Sequence, residues 1–225
     1  MSVRRHAQLC KPVGLWAAFG RQLRHPHGLG GRIAGHIMRI VNRSPNNQAL
    51  AYLHVEPDDH VLEIGFGPGR ALAELAKKIP HGHVIGIDIS DVMLGQASAY
   101  NLKSIQSGDM TLLLGTFNAL PLSTASVDKI LAVNVLYFFG SAGHELSELY
   151  RVLRPGGKIS FYATEHASLA AWSCAWSETH RTFDAKGLKE FLENSPFVED
   201  IIDIYQVRMP MGIRGLIGTI IETLP

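Results

Sequence analysis

The 225-residue chain has two cysteines, Cys10 and Cys174, set far apart, so no disulfide framework and no zinc ligand set is built into it. It has no apolar run of 18 or more residues, which excludes a membrane-spanning helix at the level of sequence. Residues 1–20 carry Arg4, Arg5 and Lys11, but the apolar patch Val13–Phe19 is short and has no clear cleavage site; a signal peptide is not expected. Acidic residues are missing altogether from Met1 to Val55, where eight Lys or Arg stand alone. The remainder holds 13 basic against 20 acidic side chains, a net of −7 that the overall +1 conceals. Two readings of this asymmetry are open: a basic arm for an acidic substrate or a membrane surface, or an arm that packs on its own acidic remainder. A reducing, cytoplasmic setting is the expectation from the cysteine usage.

What is there centres on Val61-Leu62-Glu63-Ile64-Gly65-Phe66-Gly67-Pro68-Gly69-Arg70. It reads as a short buried strand and a turn with glycine at every second position, followed by the helix-forming run Ala71–Ala76. Glycines there allow a tight turn and the close approach of a ligand to the backbone, and the helix start beyond them offers unpaired N–H groups. Arg70 stands where the dinucleotide fingerprint G-x-G-x-x-G needs its third glycine, and no Gly-Lys-Ser/Thr follows for a phosphate loop. A second apolar strand, Val84–Ser90, ends on Asp88, 21 residues after Gly67, where a doubly wound sheet places the carboxylate that accepts from ribose hydroxyls. Ribose recognition without pyrophosphate recognition indicates a nucleoside ligand.

The succession VLEIGFGPG (61–69), GIDIS (86–90), GTFNALPL (115–122), VDKILAVNVLYFF (127–139) and ELYRVLRPGGKI (148–159) resembles the ordered motifs of class I S-adenosylmethionine-dependent methyltransferases. The resemblance covers about Val61 to Phe161, and its specificity lies in the order and spacing of five motifs. It implies an α/β fold: a doubly wound, Rossmann-like, seven-stranded sheet, mostly parallel, with an antiparallel C-terminal hairpin from Val198–Met209 and Gly212–Glu222. It implies S-adenosylmethionine as cofactor and S-adenosylhomocysteine as product. Glu63, Gly65, Phe66, Gly67, Gly69, Asp88, Ile89, Met93, Thr116, Phe117, Asn134 and Val135 are the cofactor residues it marks. Position 116 is commonly Asp in the family; the hydroxyl of Thr116 accepts more weakly than a carboxylate, so the adenine contact differs here. A guanidinium beside a sulfonium is repelled, so Arg70 is expected to point away along its helix.

The acceptor side is less legible. Tyr137 follows the fourth strand, His166 the fifth, and His180 lies in the insertion after it with Trp172 and Trp176; Tyr137, His166 and His180 are the candidate catalytic groups. No carboxylate–histidine cluster suggests a metal. Asn134-Val135-Leu136-Tyr137 lacks the two prolines of the nucleic-acid amino-methyltransferases, and with near-neutral charge no nucleic-acid partner is expected. Residues 1–58 read as a helical arm or cap, with His25, His27 and Trp16 at its rim, and 59–225 as the Rossmann-like core of one domain. In the arm, Ile33, Ile37, Ile40 and Val41 share a helix face, and Ser44-Pro45 reads as an N-cap and first position of a further helix reaching Leu53. The expected function is methyl transfer to an O or N atom of a small-molecule acceptor. The alternatives are methylation of a phospholipid head group, with the basic arm touching the membrane surface, and a catalytically silent nucleoside-binding regulatory or assembly subunit. No feature of the sequence names the acceptor or sets an oligomeric state.

Overall fold

The computed structural model describes residues 40, 42–140, 143–170, 181–197 and 200–222. Trp16, His25, His27, Trp172, Trp176 and His180 lie outside the described residues, as does most of the arm. Seven helices and seven strands are described. In chain order they are α1 (Arg43–Leu53), β1 (His60–Ile64), α2 (Arg70–Lys78), β2 (His83–Asp88), α3 (Asp91–Tyr100), α4 (Leu102–Gln106), β3 (Met110–Leu114), β4 (Val127–Val133), α5 (His144–Val152), β5 (Leu153–Thr164), α6 (His166–Ala170), α7 (Ala185–Glu193), β6 (Ile201–Arg208) and β7 (Arg214–Ile221). No helix among the described residues is long and apolar enough to cross a membrane.

The strands form one sheet in the order β3-β2-β1-β4-β5-β7-β6. β1 to β5 are mutually parallel, and β7 inserts antiparallel between β5 and β6. The chain runs outward from β1 through β2 to β3 and then returns to the other side of β1 as β4. That reversal opens a crevice at the carboxyl ends of β1 and β4.

Strand alternation divides the core into two layers. Val61, Leu131, Val133, Tyr162 and Ile217 pack with Ala49, Leu50 and Leu53 of α1, Leu72 and Leu75 of α2, and Met93 and Ala97 of α3. Leu62, Ile64, Ile130, Ala132, Phe161 and Ile220 face the other way, onto Leu146, Leu149 and Val152 of α5 and Leu188 and Leu192 of α7. The i, i+3 or i+4 spacing on each helix is what lets one apolar stripe meet the sheet. At α3 the Ser90 hydroxyl accepts from the Met93 N–H at 3.3 Å, and at α7 the Asp184 carboxylate accepts from the Gly187 N–H at 2.7 Å, so both helix starts are capped by side chains.

Three local features differ from expectation. α1 begins at Arg43 with Asn42 as N-cap, and Ser44 sits inside its first turn, with its hydroxyl 3.2 Å from the Met209 sulfur. Pro45 then occupies a first-turn position whose N–H needs no intrahelical acceptor. α1 is also a layer of the core, its Ala49 carbonyl accepting from the buried Ser160 hydroxyl at 2.8 Å. Ile40, expected on an apolar helix face, is 73% exposed. β5, read from the sequence as Lys158–Thr164, starts instead at Leu153, which pairs with Val127 before the register shifts at the Pro155–Gly157 excursion, where Gly156 has φ +77°.

Candidate functional site

The site is built on the turn after β1. Gly65, Gly67 and Gly69 have φ of +67°, +52° and +79°, a left-handed series that any side chain would strain. The Gly65 N–H donates to the Ile87 carbonyl at 2.8 Å, carrying the pairing of β1 with β2 into the turn. A Cβ on Gly65 would stand 2.1 Å from Val135 Cγ1, so the segment after β4 lies directly against the turn. A Cβ on Gly69, the N-cap of α2, would stand 2.6 Å from the side-chain nitrogen of Asn101. Asn101 is buried and donates to the carbonyls of Gly69 and Ala97, both at 2.9 Å, clamping the end of the turn to α3. The Phe66 ring leaves the turn for the core, close over Gly86, so only its backbone faces the crevice.

Two carboxylates flank this turn, and burial treats them differently. Asp88 accepts from the Gly67 N–H through Oδ2 and from the Ser90 N–H through Oδ1, both at 2.9 Å. It ties the end of β2 to the middle of the glycine turn. Glu63, one residue before the turn is entered, is 3% exposed and its Oε2 has no hydrogen-bond partner. Burial, and after it the negative charge of Asp88, push its pKa well above the ordinary carboxylate range. An orphaned oxygen of this kind is costly unless a donor or a cation meets it. The Nε of Arg70, at the first position of α2, is likewise buried without a partner.

On the β2–β3 side Ile89 is half-buried, whereas Met93 is 1% exposed and packs into the α2–α3 layer. Thr116 is exposed and donates from its hydroxyl to Asn118 Oδ1 at 2.6 Å. Phe117 is buried, 6.4 Å from the Phe139 ring centre to centre, with its edge 3.8 Å from the place of a Gly65 Cβ. Gly65, Phe117 and Val135 therefore converge.

At the end of β4 the backbone of Asn134 is left-handed, φ +57°, a strained state that asparagine tolerates better than most residues. Its N–H donates to the Tyr162 carbonyl at 2.8 Å. Its side chain joins two elements: Nδ2 donates to Asn42 Oδ1 at 3.1 Å, and Oδ1 accepts from the Tyr137 hydroxyl at 3.0 Å. The Tyr137 oxygen also accepts from the Thr164 N–H at the end of β5. Tyr137 is 3% exposed, and burial raises the pKa of its phenol further above the working range. It is thus a fixed donor that latches β4 to β5. Replacing Tyr137 with Phe is expected to lower unfolding free energy by ~1–3 kcal/mol, because the Thr164 N–H loses its acceptor. Urea denaturation measures this; an unchanged midpoint would mean the latch contributes nothing.

His166 is exposed at the start of α6, with Nδ1 2.7 Å from the Thr182 hydroxyl and its N–H donating to the Phe183 carbonyl at 2.7 Å. Neighbouring Glu165 is buried, 2.7 Å from Arg214 Nε. Asn42 and Asn101 were not foreseen. Lone asparagines carry no signal until the fold brings their partners to them.

A methyltransferase-domain family model matches residues 61–157, the span of the glycine turn, Asp88 and Asn134. The uncharacterized methyltransferase YdaC of Bacillus subtilis is 32% identical over 128 residues, covering 57% of this chain and 68% of that protein. The chain belongs to the class I S-adenosylmethionine-dependent methyltransferases. The Haloferax volcanii chain solved in complex with the Trm112 methyltransferase activator shares its fold over 99% of this chain and 100% of that one, with a TM-score of 0.72 and 20% identity. The S-adenosylmethionine-dependent methyltransferase of Aquifex aeolicus does so over 78% and 89%, with a TM-score of 0.60 and 19% identity. The chain spans 33% and 46% of the length of two further curated relatives. For this methyltransferase the family match runs from β1 into the start of β5 and leaves α1, the rest of β5, α6, α7 and the β6–β7 hairpin outside it.

Proposed function

We propose that this methyltransferase moves a methyl group from S-adenosylmethionine to an O or N atom of a small-molecule acceptor. The observation that carries the reading is the unpartnered oxygen of buried Glu63 beside the three-glycine turn. It suits a cationic amino group, and the turn suits a ligand lying against backbone. When bound, the cofactor supplies a methyl group already activated by a sulfonium.

In this reading Glu63 holds the amino group of the methionine portion and Asp88 accepts from the ribose hydroxyls while keeping Gly67 in place. Gly65, Phe66, Gly67 and Gly69 offer backbone. Phe117, Val135 and Ile89 give apolar walls, Thr116 faces the adenine edge, and Met93 supports the site from beneath. Asn134 shapes the floor at the end of β4, and Tyr137 fixes Asn134 against Thr164. Tyr137 acts as a positioning residue, since a phenol held protonated by burial is a poor base. His166 stands at the ligand end of the sheet with an imidazole able to take a proton from a hydroxyl or ammonium acceptor, a service methyl transfer needs only for such acceptors.

Calorimetric titration with S-adenosylhomocysteine tests the donor site. Micromolar binding is expected. Glu63 binds a proton more tightly in the ligand-free protein than beside an ammonium group, so binding releases that proton. Affinity should therefore rise with pH from the ordinary carboxylate range up to the raised pKa of Glu63. The binding enthalpy should vary with the ionisation enthalpy of the buffer, and in Glu63→Gln it should not. No binding by the parent chain would end the assignment; binding with a buffer-independent enthalpy would remove Glu63 from it.

A further inference from the structure

We propose that Arg208 and Arg214 form a subsite for an anionic oxygen group, carboxylate or phosphate, on the methyl acceptor; this rests on the methyltransferase reading above. The two arginines are directly opposed across the β6–β7 pair. Directly opposed residues on neighbouring strands project from the same face. Gly215 belongs to the other face, where a Cβ would meet the Tyr162 ring at 2.4–2.7 Å, so Arg214 projects on the α5–α7 side and Arg208 with it. Just past the end of β5 the row continues into Glu165, whose N–H donates to the Arg214 carbonyl at 2.9 Å and whose carboxylate lies 2.7 Å from Arg214 Nε.

The result is a row of plus, plus and minus across three strands. Like charges placed opposite one another cost stability, so the row is not explained by the fold alone. The Glu165 carboxylate stands beside Nε of one guanidinium without a well-aligned hydrogen bond, and the Arg214 side chain is 56% exposed. Arg208 is exposed and forms no ion pair with a described residue. The Arg214 backbone N–H donates to the Ser168 hydroxyl at 2.9 Å, which fixes β7 to α6.

Position completes the argument. Glu165 directly follows Thr164, which holds the Tyr137 hydroxyl, which in turn holds Asn134. The row therefore lies at the ligand end of the sheet, on the side of β4 away from the glycine turn. Arg214 stands two strand spacings from β4 and Arg208 three, roughly 10 and 14 Å. An acceptor with its nucleophile at the end of β4 and its anionic group about 10 Å away would fit.

The full chain, saturated with S-adenosylhomocysteine, is titrated with inorganic phosphate, and separately sedimented with phosphatidylglycerol vesicles against phosphatidylcholine vesicles. Arg208→Gln is the primary variant, because the Arg208 side chain holds no partner among the described residues and its loss leaves the fold intact. Glu165→Gln/Arg214→Gln removes the second arginine without stranding a buried charge. Phosphate affinity is expected to fall roughly ten-fold or more in each, with S-adenosylhomocysteine affinity unchanged. Phosphate binding without vesicle binding identifies a soluble acceptor, and charge-selective vesicle binding lost in Arg208→Gln identifies a lipid head group; both support the subsite. Equal behaviour of parent and Arg208→Gln in both arms, or no binding by the parent in either, overturns it. Failure of the methyltransferase reading shows separately, as absent S-adenosylhomocysteine binding in every protein.

Discussion

Asp88→Ala is expected to raise the dissociation constant for S-adenosylhomocysteine roughly 100-fold or more. The carboxylate does two things at once. It accepts from the Gly67 and Ser90 N–H groups, holding the glycine turn against the end of β2, and in the proposed complex it accepts from the ribose. Alanine removes the ribose acceptor and releases the turn that the rest of the ligand lies on. Asp88→Asn separates the two effects. Its single carbonyl oxygen can keep one backbone contact, but the charge is gone and the amide nitrogen repels the other donor, so an intermediate loss is expected. Calorimetry gives the affinities and circular dichroism checks that the variants are folded. Unchanged affinity in Asp88→Ala would mean that the nucleoside is held elsewhere.

Gly65→Ala should be strongly destabilising for a single added methyl. The backbone is left-handed at φ +67°, which costs a non-glycine residue ~1–2 kcal/mol. The new Cβ arrives 2.1 Å from Val135 Cγ1, an overlap that must displace one segment and costs ~1–3 kcal/mol more. A loss of ~2–5 kcal/mol is a large share of the 5–15 kcal/mol typical of domains. Val135→Ala removes the atom in the way, so Gly65→Ala/Val135→Ala should regain the overlap part but not the backbone part. Denaturation of the four proteins forms a double-mutant cycle. Simple additivity of the two changes would show that Val135 yields without cost and that the turn is looser than its contacts imply.

The half of the sheet around the glycine turn was legible because its requirements are local. Alternating glycines announce a tight turn, and an acid ends the next apolar strand; that this acid also accepts from the Gly67 N–H is seen only in the fold. The capping of α3 by Ser90 and of α7 by Asp184 is equally local. What escaped depends on partners remote in sequence. Asn42 meets Asn134 across 92 positions, and Asn101 reaches Gly69 across 32. Ser44 looked like a cap because its neighbours fit one, but its hydroxyl turns toward Met209 of the distant hairpin. Phe66 sits among turn residues, and only the empty space over Gly86 draws its ring into the core. The arginine row was invisible for the same reason: neither arginine belongs to a motif, and only strand register opposes them.

The placement of β7 sets an order of assembly. As the chain leaves the ribosome, β1 to β5 can pair at once, each new parallel strand finding an open edge. β6 cannot, because its only partner among the described strands is β7, which is synthesised after it. Until β7 slides in beside β5, the β5 edge presents bare N–H and C=O groups, an interval in which wrong pairing competes. The arginine row comes into register in that same step. The nascent protein can therefore possess its glycine turn and Asp88 tether while Arg208 and Arg214 still lie apart, so in the proposed reading the donor site is complete before the acceptor subsite.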